Sequence, residues 1–89
     1  MSTSSIMVDA RAADVKVTET DLIISLRDGR KITAPLSWFP RLARADANAR
    51  ATWEFSAAGF GIHWPLIDED LSVEGLLRGT AAPKSAPTR

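Results

Sequence analysis

The sequence predicts an α+β fold: a small antiparallel sheet of about five strands, two hairpins plus an N-terminal strand, packed with two or three short helices. Three observations predict it. Two pairs of apolar runs alternate with a period of two around glycine-containing turns, and a further alternating run precedes the first pair. Two other stretches carry apolar residues at helical spacing, one after Pro35 and one before Gly79.

The 89 residues suffice for one small domain, expected over 13–79, between a loosely held arm (1–12) and a disordered tail (80–89) rich in Ala, Pro, Ser and Thr. Cysteine is absent, so neither disulfides nor thiolate metal sites support the core. Packing must do so, led by three tryptophans and three phenylalanines. The first residues lack the basic flank and apolar run of a secretion signal, and no apolar stretch is long enough for a bilayer, so a cytoplasmic protein without membrane contact is expected.

In chain order, Ile6, Met7 and Val8 offer only a weak edge-strand signal, whereas Val15 and Val17 alternate with Lys16 and Thr18 as a half-buried strand. A turn at 19–21 leads to a strand with Leu22, Ile24 and Leu26 on one face. Asp28-Gly29 then turns the chain into a return strand that Pro35 stops. A two-residue turn would set Ile24 against Thr33, mixing faces. A three-residue turn over 27–29, with Gly29 left-handed, sets Ile24 against Ile32 and Leu22 against Ala34, and the apolar match selects it.

Ser37 is the expected N-cap of the next helix, with Pro40 in its first turn. Trp38, Phe39, Leu42 and Ala45 share its inner face, and Arg41 and Arg44 point outward. The alanine-rich segment 46–51 either prolongs that helix or makes a second one after a break. A second hairpin turning at Ala58-Gly59 sets Phe55 opposite Ile62, Trp53 opposite Trp64, and Glu54 opposite His63 on the other face. Pro65 ends its second strand. Asp68, Glu69 and Asp70 then form an acidic loop that complements the positive end of a helix over 73–78. Ser72 caps that helix, Leu71 and Leu76 staple it, and Gly79 closes it. Gly75 inside it implies close packing on the sheet. The expected core is therefore Trp38, Phe39, Leu42, Trp53, Phe55, Ile62, Trp64, Leu71 and Leu76.

The residue inventory argues against catalysis. His63 is the sole histidine, and Glu54 across the hairpin is its natural carboxylate partner, yet no serine or cysteine nucleophile stands at a matching spacing. His63 with Asp68, Glu69 and Asp70 fits neither zinc nor calcium-loop spacing, so no catalytic, metal or cofactor residue is expected. The zero net charge hides a gradient. Segment 27–50 has six basic residues against two acidic ones, net +4, and segment 51–79 has one against five, net −4. Such polarity suits association with another protein or with a second copy. The expected partner surface comprises Arg27, Arg30, Lys31, Arg41 and Arg44 with Glu54, His63, Asp68, Glu69 and Asp70. Nucleic-acid binding through a patch spanning Arg27 to Arg44 ranks lower, because no helix-turn-helix spacing or exposed stacking aromatics accompany it.

Asp28-Gly29, Pro35-Leu36, Phe39-Pro40-Arg41-Leu42, Gly59, Gly61-Ile62-His63-Trp64-Pro65, Asp68-Glu69-Asp70-Leu71-Ser72-Val73 and Leu76-Leu77 together resemble domain-of-unknown-function family 2442, small bacterial proteins. The likeness runs over 15–79, and Trp-Pro-x-x-Asp-x-Asp is its most specific part. The resemblance implies a compact α+β domain without assigned catalytic residues. It also implies relatives joined to a helix-turn-helix and others encoded beside small toxins as antitoxin-like partners. With ten residues after Gly79, a DNA-binding extension is not expected here. The expectation is a small non-enzymatic interaction module, antitoxin-like or a small inhibitor of a partner protein. A nucleic-acid accessory role comes second, and a metal-dependent hydrolase around His63 is a remote third.

Overall fold

The computed structural model describes residues 8–79. The expected tail over 80–89, and most of the expected arm, lie outside the described residues. Among the described residues six strands form two antiparallel meanders: β1 (Ala12–Val17), β2 (Asp21–Leu26) and β3 (Lys31–Pro35), then β4 (Glu54–Ser56), β5 (Gly61–Trp64) and β6 (Glu69–Ser72). Between them lie a 3-10 turn (Leu36–Trp38) and the helices α1 (Pro40–Arg44) and α2 (Ala47–Ala51). Helix α3 (Val73–Leu77) follows β6. The fold is α+β as expected, but the single five-stranded sheet is replaced by two sheets of three. The acidic segment expected as a loop supplies the additional strand.

The first hairpin takes the register that apolar matching selects, Leu22 with Ala34 and Ile24 with Ile32. Gly29, at φ 98°, closes a three-residue turn. Its N–H donates to the Leu26 carbonyl at 3.1 Å, and the Leu26 N–H donates to Arg30 at 2.8 Å. The domain starts earlier than residue 13. The Asp9 N–H donates to the Asp28 carboxylate at 2.9 Å, the Arg27 N–H donates to the Arg11 carbonyl, and Ala12 is buried. Arg30 grips the same Asp28 carboxylate at 2.8 Å. That guanidinium first, and the Asp9 N–H second, hold the Asp28 carboxyl well below the usual carboxylate range.

Ser37 is not a cap. It lies within the 3-10 turn, and α1 starts one residue after Phe39 with Pro40 at its first position and no side-chain cap. The fixed φ of proline sets that start without help from a hydroxyl. Segment 46–51 resolves as a separate helix, because the Asp46 carboxylate accepts the Ala49 N–H at 2.8 Å and restarts the coil. Ser72 does cap α3, accepting the Gly75 N–H at 2.9 Å, and Gly79 follows at φ 78°. A Cβ on Gly75 would meet the Ser72 hydroxyl at 2.9 Å, so its smallness serves the cap and not contact with a sheet.

Both sheets and the segments between them contribute to one apolar core centred on Trp64, Phe39, Leu22, Ile24, Leu42, Ile62 and Val73, all fully buried. Leu71 and Leu76 join it, while Trp38 and Trp53 pack against it half-buried. Phe55 departs from expectation. It lies on the outer strand β4 and stays 43% exposed, with Trp53 tilted over it at 5.2 Å between ring centres. The β4–β5 ladder stops at Glu54–His63, one residue short of the expected Trp53–Trp64 pair. Trp64 instead donates its indole N–H to the Arg50 carbonyl at 3.1 Å, satisfying a carbonyl at the C-terminal end of α2.

Candidate functional site

The second sheet positions the residues that the sequence singles out. Its turn at Ala58-Gly59 has both central residues left-handed (φ 57° and 96°), with the Phe60 N–H donating to Ala57 at 3.0 Å. That is the primed geometry whose twist suits a two-residue hairpin. The resulting register places Phe55 opposite Ile62 and Glu54 opposite His63, as expected. On the other side of β5, His63 stands opposite Asp70 and Trp64 opposite Glu69.

Because side chains alternate along each strand, this register builds a row across three strands: Glu54, His63, Asp70. The next row is Ser56, Gly61, Ser72. A Cβ on Gly61 would come within 2.6 Å of the Ser56 hydroxyl, so glycine keeps this face flat. Within the first row the hydrogen bond is not the expected one. The His63 Nδ1 lies 2.9 Å from the Asp70 carboxylate, and Glu54 is left as an exposed neighbour. The imidazole is thus flanked by a carboxylate on each side. Of the two serines in the neighbouring row, Ser72 is engaged as the cap of α3, its hydroxyl accepting the Gly75 N–H at 2.9 Å.

Glu69 faces the other way. It is only 6% exposed, and the nearest cation, the Arg41 guanidinium, is 3.9 Å off. Burial first pushes its carboxyl pKa up. Arg41 opposes the rise, and Asp70 and Asp68 add to it. Arg41 itself donates to the Asp68 backbone carbonyl at 2.6 Å, tying α1 to the β5–β6 turn. The acidic triplet is therefore divided: Asp68 in a turn at φ 53°, Glu69 inward, Asp70 outward on His63. It does not sit as a group at the start of α3, where Glu74 is the acidic residue of the first turn. Among the described residues no three His, Asp or Glu side chains gather as a metal-holding set.

The basic patch also divides. Arg27 and Arg30 belong to the β2–β3 turn, which is tied through Arg11 to the Gly59–Phe60 end of β5. A Cβ on Gly59 would meet the Arg11 side chain at 3.1 Å, and the Arg11 guanidinium lies 5.9 Å from the centre of the Phe60 ring. Arg41 is tied to the opposite end of β5, and Arg44 is on its helix. Arg27, Arg30 and Lys31 thus stand at the first hairpin, and Arg41 and Arg44 on α1. Arg50 carries a role not read from the sequence. Its guanidinium donates to the Leu42 and Ala43 carbonyls at 3.0 and 2.9 Å, closing the C-terminal end of α1, while its own carbonyl receives Trp64. A cation on an alanine-rich helix reads as a solvated charge. The one sequence signal is its position eight residues after Leu42, beyond the break between the two helices.

No helix among the described residues is long and apolar enough to cross a membrane. The family described as Protein of unknown function (DUF2442) matches residues 12–82. A crystal structure of a protein of unknown function from Rhodospirillum rubrum ATCC 11170 superposes with a TM-score of 0.71 at 28% identity, covering 84% of this chain and 93% of that one. The solution structure of the uncharacterized protein CV0863 from Chromobacterium violaceum gives a TM-score of 0.70 at 21% identity, covering 82% and 69%, and it shares the fold. No curated protein matches the chain.

Proposed function

The chain belongs to the DUF2442 family, and from that premise we propose that it is a small non-catalytic regulatory module that binds another protein, as an antitoxin or small inhibitor does. The observation that carries this reading is the Glu54–His63–Asp70 row on the outward face of the second sheet. Its charges stand on paired strands and not on a loose loop, and Ile62, Trp64 and Leu71 back the same strands from the core. A flat, preorganised acidic face loses little side-chain freedom on docking and steers a basic partner toward it. The partner class that fits is a protein presenting lysine or arginine to this row.

Affinity capture from the native host tests the reading. The unmodified chain is expected to retain a defined protein that salt releases. The double charge reversal E54K/D70K is expected to lose it. Retention of the same protein by both baits would refute the assignment of the face.

A further inference from the structure

The outer edge of β1 offers a second interaction surface. The Thr18 N–H donates to the Asp21 carbonyl at 2.9 Å, so these two residues begin the β1–β2 ladder as a hydrogen-bonded pair. The register continues as Val17–Leu22, Lys16–Ile23, Val15–Ile24 and Asp14–Ser25. Antiparallel pairing alternates, so Asp14 and Lys16 direct their backbone groups at β2, while Val15 and Val17 turn theirs outward. Among the described residues strand β1 is the outermost of its sheet, and no hydrogen bond reaches those outward groups. Beside them runs a groove of about 460 Å³ walled by Val15, Lys16 and Val17 and floored by Ala47, Ala51 and Trp53. Two alanines on the facing helix leave room where larger side chains would fill it.

We propose that this edge receives the β1 strand of a second copy of the chain, antiparallel and with Val15 opposite Val15, joining two three-stranded sheets into one of six. Charge selects the occupant and the register. With Val15 on the twofold axis, Asp14 of each copy stands opposite Lys16 of the other, and symmetry makes the pair twice. Both side chains are exposed and share the face opposite Val15. Directly opposed residues of a non-hydrogen-bonded pair bring their Cβ atoms to about 4.5–5.5 Å, close enough for opposite charges to attract. The neighbouring register, centred on Lys16, sets lysine against lysine and is repelled. The same lysine discourages indiscriminate strands from pairing with the edge. A bulge between Ala12 and Asp14 ends the match, so the contact is short and the association concentration-dependent.

This surface is distinct from the Glu54–His63–Asp70 face, so either assignment can fail alone. Sedimentation equilibrium of the full chain from about 10 μM to about 1 mM tests it. The unmodified chain is expected to pass from monomer to dimer. K16D, at an exposed site, is expected to weaken the dimer about tenfold, and the swap D14K/K16D to restore it. Hydrogen exchange gives a second readout: protection of the Val15 amide rises with concentration, while that of Lys16, already bonded to β2, stays constant. A chain still monomeric at about 1 mM, a dimer indifferent to K16D, or a dimer that leaves the Val15 amide unprotected would overturn the proposal.

Discussion

Replacing Trp64 by phenylalanine tests how the core is held. The indole is fully buried, and its N–H is the partner of the Arg50 carbonyl at 3.1 Å. Trp64→Phe keeps one aromatic ring but removes that donor, and an unmatched buried carbonyl costs about 1–3 kcal/mol. The lost second ring leaves a void worth about another 1 kcal/mol of packing. The sum is about 2–4 kcal/mol. For a domain of this size each kcal/mol moves the melting temperature by about 4–8 °C, so a fall of about 8–32 °C is expected. Trp53→Phe is the control. That side chain is half-buried and donates no hydrogen bond among the described residues, so its loss should cost no more than about 1 kcal/mol. Thermal unfolding followed by far-ultraviolet circular dichroism reads both, independently of tryptophan fluorescence. If Trp64→Phe melts no lower than Trp53→Phe, the indole does not join α2 to β5 as described.

Asp28→Asn should lower stability at neutral pH. Its folded pKa is depressed, so its contribution is present above the ordinary aspartate range and lost as pH falls through the folded value; the two melting curves should converge in acid. Glu69 has the opposite sign. A raised folded pKa means stability is fully present below the unfolded value and lost as pH rises through the folded one. Glu69→Gln should therefore melt higher than the parent at pH 7, with the gap closing in acid; a lower melting point at pH 7 would show that Arg41 outweighs burial. Ala58→Gly relieves a left-handed alanine at φ 57° and should stabilise by about 1 kcal/mol, seen as a higher urea midpoint.

Both hairpin registers were legible in the sequence because each has a wrong alternative that turns apolar side chains outward. Ile24 finds Ile32, and Phe55 finds Ile62. Local backbone chemistry was legible for the same reason at Gly29, Ser72 and Gly79, where one residue type suits the geometry. Strand β6 was not legible. Its inward positions are Glu69 and Leu71 and its outward ones Asp70 and Ser72, so a carboxylate occupies a core slot and hides the alternation. With β6 unseen, the sequence could supply His63 with Glu54 but not with Asp70. Arg41's tie to the Asp68 carbonyl was not legible either, because proximity in the chain says nothing about which turn a helix meets. Phe55 failed because apolar alternation reports a face, not whether the strand bearing it is an outer one.

The assigned partner face stands on its charge, and the most direct measurement is equilibrium binding of the captured host protein to the unmodified chain, E54K/D70K and K16D at two salt concentrations. The account predicts a loss of about tenfold or more for E54K/D70K, weaker binding of the unmodified chain at high salt, and an affinity for K16D equal to that of the unmodified chain. Equal affinities for the unmodified chain and E54K/D70K, with no response to salt, would contradict it.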